Sequence, residues 1–147
     1  MKALVVNGPN LNMLGIREPD IYGRRTYDDL VSLCRDAGGQ AGFDEVEVVQ
    51  SNHEGDLIDM IQQAYGRYDG IVINPAAYTH TSVGLLDALK AVSLPAVEVH
   101  ISEVDAREAF RQVSYVRGAC FATVTGEGLE GYAHALRLLA ARLSARL

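Results

Sequence analysis

The sequence predicts an α/β fold with one parallel sheet and helices on both of its faces. Three observations point to it. Short, β-rich apolar runs alternate strictly with segments of helical period. Five such runs fit within 147 residues. No linker, internal repeat or low-complexity stretch interrupts the alternation.

The runs cover residues 3–6, 45–49, 70–73, 96–101 and 120–124. Between the first two, Leu30, Val31, Leu33 and Cys34 mark a helix credible from about Thr26. Leu57, Ile58, Ile61, Ala64 and Tyr65 mark a second, with Asn52 or Ser51 as its cap. Leu85, Leu86, Leu89 and Val92 mark a third, entered through Thr79-His80-Thr81-Ser82, where hydroxyls suit a helix N-terminus. A short helix is expected over 106–113, and a last one over about 129–143 with Ala133, Leu136, Leu139 and Ala140 on its apolar stripe. Five strands in a chain of this length predict the flavodoxin-like order 2-1-3-4-5. The whole chain, 1–147, reads as one domain.

Composition narrows the function. The net charge of −6 argues against a general nucleic-acid binder, and 48% apolar with 22% charged residues describes an ordinary globule. A small anionic substrate stays open, because local Arg placement can oppose the global charge. Cys34 and Cys120 form no C-x-x-C and no Cys/His cluster, so they read as buried thiols in a reducing compartment. The first apolar run is too short for a signal peptide, and no stretch approaches a membrane span. A cytoplasmic protein is expected. Only Lys2 and Lys90 could form an imine.

Ligands of such sheets lie beyond the carboxyl ends of the strands, so the residues after each run carry the chemistry. Asn7-Gly8-Pro9-Asn10 opens an aperiodic segment reaching Tyr22-Gly23, long for a strand-to-helix connection. Gly and Pro punctuation with interspersed Leu and Ile reads as an ordered, movable loop. Ser51-Asn52-His53-Glu54-Gly55 reads as a helix cap with a surface histidine. His80, beside Asn74 and three hydroxyls, is either a cap or part of a polar binding wall. Glu98 and His100 stand two apart, on one face of a strand. A carboxylate there holds the imidazole tautomer and favours acid–base work over a merely structural pair. Gly126-Glu127-Gly128-Leu129-Glu130-Gly131 has the form G-x-G-x-x-G but no following βα unit, so it reads as a turn rather than a dinucleotide site.

Taken together, Asn7-Gly8-Pro9-Asn10-Leu11-Asn12-Met13-Leu14-Gly15-Ile16-Arg17-Glu18-Pro19, Asn52-His53-Glu54-Gly55, Ile73-Asn74-Pro75-Ala76-Ala77-Tyr78-Thr79-His80-Thr81-Ser82 and Glu98-Val99-His100-Ile101-Ser102 resemble type II 3-dehydroquinate dehydratase. Arg107-Glu108-Ala109-Phe110-Arg111 and residues 126–132 match it too, in the same order along nearly the whole chain. The resemblance implies a flavodoxin-like subunit in trimers, commonly assembled into dodecamers. It implies dehydration of 3-dehydroquinate to 3-dehydroshikimate with no metal or organic cofactor, in aromatic biosynthesis or quinate breakdown. Residue by residue it implies Tyr22 as base with Arg17 as its partner, and His100 as general acid oriented by Glu98. Asn10 would hold a water near the enolate oxygen. Asn74, His80 and Arg111 would bind substrate hydroxyls, and the N–H groups of Ile101 and Ser102 would cradle the carboxylate. Asp87 would reach a neighbouring subunit's site, and Arg107 would support the lid. Glu103 and Asp105 depart from the family's usual Asn and His.

The chemistry suits those residue types. A proton α to a ketone must leave, enolate charge must be stabilised, and a departing hydroxyl must be protonated. A tyrosine ionises near pH 10, and lowering that to about 7 takes about 4 kcal/mol. One guanidinium at about 4 Å, under an effective dielectric near 20, supplies interaction of about that size. Two other readings of the fold fit worse. A receiver-like signalling module expects acidic residues after the first strand and a Lys after the fifth, where this chain has Asn-Gly-Pro-Asn and Thr125-Gly126. An FMN carrier expects hydroxyls in its first loop, and residues 7–12 have none.

Overall fold

Alternation along the strands decides which residues meet which helix layer. The computed structural model describes residues 1–16, 20 and 24–145. Five strands, β1 (Lys2–Asn7), β2 (Glu45–Gln50), β3 (Gly70–Asn74), β4 (Ala96–Val99) and β5 (Ala122–Val124), pair in parallel in the order β2-β1-β3-β4-β5. That is the order expected from the strand–helix pattern. Among the described residues four α-helices flank them: α1 (Tyr27–Ala41), α2 (Glu54–Gln63), α3 (Val83–Val92) and α4 (Glu130–Ser144).

Ala3 and Val5 of β1 pack with Val72, Val97, Leu30 and Leu136, in the layer of α1 and α4. Leu4 and Val6 point the other way, onto Leu57, Ile61, Leu85 and Leu89 of α2 and α3. With both faces covered, β3 is buried throughout. The six-residue β2 lies at one edge, half-buried, and carries Glu45 and Glu47. Charges of this kind discourage pairing with a stray strand.

The helix ends follow local chemistry. Thr26 caps α1 in a reciprocal box: its hydroxyl accepts from the Asp29 N–H, and the Asp29 carboxylate accepts from the Thr26 N–H. Ser82 caps α3 through the Leu85 N–H. The cap of α2 differs from expectation. His53 occupies that position without a side-chain bond, while Ser51 accepts from the His53 N–H and donates to Asp56. Asn52 is used elsewhere, as described below.

Two further expectations are corrected. No α-helix covers 106–113; that stretch holds two single 3-10 turns, Val104–Ala106 and Ala109–Arg111. Its helical period is too short to nucleate a stable helix. Strand β4 ends at Val99, two residues earlier than expected, because its neighbour β5 is only three residues long. The His100 N–H still bonds the Val124 carbonyl at 2.9 Å, after which the chains part.

Candidate active site

The last residues of β1 and β3, Asn7 and Asn74, are paired in register at the point where the sheet order reverses. Beyond this edge lies a cavity of about 170 Å³. Its wall is made by Pro9, Asn10 and Leu11 after β1, by Asn74, Ala76, Ala77 and His80 after β3, and by His100, Ile101, Ser102, Val104, Arg107 and Arg111 after β4. Three loops that are distant in sequence thus converge where an open α/β sheet binds its ligands.

Glu98 is fully buried, and His100 is 6% exposed. One residue past the end of β4, His100 keeps the bond to Val124, and its Nε2 lies 2.5 Å from Glu98 Oε2. Ser114 donates to the same oxygen at 2.7 Å, while Arg117 Nε and Thr123 Oγ1 donate to Oε1 at 2.9 and 3.3 Å. Burial alone would push the Glu98 carboxyl up. The bonds from His100, Arg117 and Ser114 outweigh it and hold the group at about 2. Glu98 is therefore an anion at neutral pH, the imidazole Nε2–H donates to it, and Nδ1 is the nitrogen left for other work.

The loop after β1 is held from the side. Asn10 adopts φ +70°, a left-handed conformation that Asn tolerates. Its N–H donates to Asn52 Oδ1 at 3.0 Å, and Gln50 Nε2 donates to the same oxygen at 3.1 Å. Asn52 thus secures this loop instead of capping α2. Gly8 lies so close to the next loop that an added Cβ would sit 2.4 Å from the Pro75 carbonyl oxygen.

His80 Nδ1 donates to the Val113 carbonyl at 2.7 Å, leaving Nε2 as its acceptor. Burial, with Arg111 and His100 acting in the same direction, holds this imidazole below its ordinary value, so it stays neutral at pH 7. Arg107 and Arg111 line the same cavity, and Glu108 accepts from Arg111 Nε at 2.7 Å and lies 3.9 Å from Arg107 Nε. The two guanidiniums bring local positive charge to a chain of net charge −6. The carbonyls of Ile101 and Ser102 accept from the Gly128 and Gly126 N–H groups. Because a peptide N–H points opposite its carbonyl, that of Ser102 points away from the β5–α4 turn.

Among the residues singled out from sequence, Asn10, Asn74, His80, His100, Ile101, Ser102, Arg107 and Arg111 therefore come together, and Glu98 lies directly behind His100. Asp87 does not join them; it is exposed on α3. Arg17 and Tyr22 lie outside the described residues. Glu103 leaves the cavity wall and accepts instead from Thr125 Oγ1 at 3.1 Å. The G-x-G-x-x-G segment is a turn, with φ +73° at Gly126 and +65° at Gly128. Lys2 pairs with Glu45 at 3.3 Å, and Lys90 is exposed in the last turn of α3; neither lines the cavity. Burial pushes the Cys34 and Cys120 thiols up to about 12, which makes them poor nucleophiles.

Ser114, Arg117 and Thr123 went unrecognised in the sequence. Residues 114–120 have no period to place them. Thr123 was the accessible one, since it faces Glu98 directly once β4 and β5 are registered.

Comparison with known proteins places the chain in a family. The family model described as dehydroquinase class II matches residues 1–140. The 3-dehydroquinate dehydratase 1 of Corynebacterium efficiens is 55% identical over 139 residues, covering 95% of this chain and 91% of that protein. The 3-dehydroquinate dehydratase of Clostridium acetobutylicum is 50% identical over 144 residues, covering 98% and 99%. The crystal structure of the type II dehydroquinase from Butyrivibrio crossotus superposes with a TM-score of 0.91 at 51% identity, covering 95% of this chain and 97% of that one. The chain belongs to the class II dehydroquinase family.

Proposed function

We propose that the cavity converts 3-dehydroquinate to 3-dehydroshikimate by way of an enolate, with no covalent bond to the protein. The observation that carries this reading is the buried Glu98–His100 pair at a cavity also lined by Arg107 and Arg111. The substrate is an anion bearing several hydroxyls. Arg111, Asn74 and the neutral His80 offer donors and an acceptor to those hydroxyls, and the Ile101 and Ser102 N–H groups take the carboxylate.

In this reading the Tyr22 phenolate, kept ionised by Arg17, removes the proton α to the ketone. Arg suits the role because it stays charged when water is excluded. A water held by Asn10 stabilises the enolate oxygen. His100, protonated at Nδ1, then gives that proton to the departing hydroxyl, which leaves as water. Glu98 accepts from the Nε2–H throughout and so keeps the imidazole oriented with Nδ1 toward the cavity side. Imine chemistry has no support, because the only two lysines, Lys2 and Lys90, lie away from the cavity. The reaction as written uses no metal or organic cofactor. Asp87, exposed on α3, fits the role of a group lent to a neighbouring subunit, in a trimer-based dodecamer. The reaction would serve aromatic biosynthesis or quinate breakdown in the cytoplasm.

The test is an ultraviolet assay for the conjugated enone product. The wild-type chain should form it, and Tyr22→Phe should lose about 10²–10⁴-fold in turnover, the usual worth of a general base. Borohydride added with substrate should leave Lys2 and Lys90 unmodified by mass spectrometry. Near-normal turnover by Tyr22→Phe would remove the tyrosinate from the mechanism, and a reduced adduct on either lysine would replace the enolate route with an imine.

A further inference from the structure

The end of the sheet beneath the cavity holds a buried polar chain in which two members, Tyr132 and Asn7, have no part in the mechanism above. Tyr132 of α4 is fully buried, and its hydroxyl reaches two strand ends at once. It donates to Asn7 Oδ1 at 2.7 Å and accepts from Asn74 Nδ2 at 2.8 Å. Asn74 Oδ1 in turn accepts from the Ala76 N–H at 3.1 Å.

Two groups hold the Asn74 amide, the Ala76 N–H at its oxygen and the Tyr132 hydroxyl at its NH2. The Ala76 N–H can only donate, so Asn74 must turn its oxygen toward it. The Asn74 NH2 then faces Tyr132, whose oxygen must accept. The Tyr132 proton is thereby sent to Asn7, which must present its own oxygen. On the far side the buried Asn7 Nδ2 faces the Tyr27 hydroxyl at the start of α1, and neither atom has a closer partner among the described residues. Ala76 itself sits at φ +53°, a strained conformation for a residue with a Cβ, and the bond to Asn74 helps hold it there.

We propose that Tyr132 is a positioning residue for the cavity: committed as donor to Asn7, its hydroxyl locks the Asn74 amide in one orientation and so fixes which donor and acceptor Asn74 offers the substrate. With Tyr132 and Ala76 each taking one valence, Asn74 keeps one N–H and one lone pair for a ligand hydroxyl. Without the Tyr132 hydroxyl the NH2 end loses its partner, and the amide is held only at its oxygen, by the Ala76 N–H. This inference rests on the reading of Asn74 as a substrate-binding residue of the proposed dehydratase.

The experiment is a double-mutant cycle on the full chain with 3-dehydroquinate as substrate, comparing wild type, Tyr132→Phe, Asn74→Ala and the double variant. Tyr132→Phe should raise KM about tenfold with kcat changing far less, the size of one displaced hydrogen bond. In the Asn74→Ala background it should change kcat/KM no further, while lowering Tm in both backgrounds. Equal losses of kcat/KM in both backgrounds, or no loss in either, would overturn the proposal. If Tyr132→Phe does not fold, Asn7→Leu carries the same test, since it frees the Tyr132 proton to turn onto Asn74. Solvent exchange of the Asn74 side-chain NH2, followed by NMR, separates this inference from the functional reading. Exchange should speed about tenfold in Tyr132→Phe, one lost hydrogen bond's worth, even if wild type fails to turn over dehydroquinate, and unchanged exchange would sink the inference alone.

Discussion

The Arg117 guanidinium donates from Nε to Glu98 Oε1 at 2.9 Å, while the other Glu98 oxygen receives His100. One carboxylate is thus shared between a permanent cation at the edge of the sheet and the imidazole that faces the cavity. The division matters because an anion held by several donors gives up less negative charge to any one of them.

Removing that cation should loosen the carboxylate that stands behind His100. In Arg117→Gln the Glu98 anion loses its guanidinium partner at Oε1. The kcat should fall about tenfold, the size of one lost charge-assisted hydrogen bond. Arg117→Lys should restore part of that loss, since it returns the charge without the planar fork. Steady-state kinetics on the three proteins check this, and an unchanged kcat in Arg117→Gln would exclude a role for Arg117 in the acid step.

Acid should unfold the protein partly through Glu98. Its carboxyl sits at about 2 in the folded chain against an ordinary 4.5, so the unfolded chain binds the proton first as pH falls. The stability it contributes is complete above about pH 4.5 and disappears as pH drops toward 2, a loss on the order of 3 kcal/mol. Urea midpoints measured across that range should fall steeply for wild type and more gently for Glu98→Gln, which starts lower at neutral pH. Parallel slopes for the two would assign the acid sensitivity to other carboxylates.

Close backbone approach at Gly8 should make the cavity intolerant of one methyl group. A Cβ there would stand 2.4 Å from the Pro75 oxygen, and neither backbone segment can swing aside as a side-chain tip could. Gly8→Ala should cost about 1–3 kcal/mol, lower Tm by several degrees and raise KM, because both loops carry cavity residues. Gly39→Ala in α1, where an added Cβ meets nothing within 4 Å, is the control. It should raise stability by about 0.5–1 kcal/mol and leave activity alone. Calorimetry and steady-state kinetics on both variants decide the matter; a Gly8→Ala protein as stable as wild type would show that the loops adjust.

The strand–helix alternation was readable because periodicity is local. Apolar spacing places each segment, and Thr26 and Ser82 announce two helix starts in their own residue types. The Glu98–His100 pair was readable for the same reason, since a two-residue step on one strand puts both on one face. Asn52 misled, because an Asx residue before a helix suits a cap and a loop anchor equally. The turn over 106–113 misled because its spacing mimics a helix too short to stand alone.

From its residues taken singly and in short windows, this chain already determined its layers, its sheet order, the family pattern and most of the cavity wall. Only the folded molecule decided that Arg117 and Ser114 would surround Glu98, that Asp87 would stand outside the cavity, and that Tyr132 would bridge the ends of β1 and β3. Tyr132 and Asn7 are 125 residues apart, and to a period-counting eye the tyrosine is one more apolar position on α4. Such contacts follow from how sheet and helices stack, and a buried hydroxyl discloses its work only when the partner it was forced to find is in view.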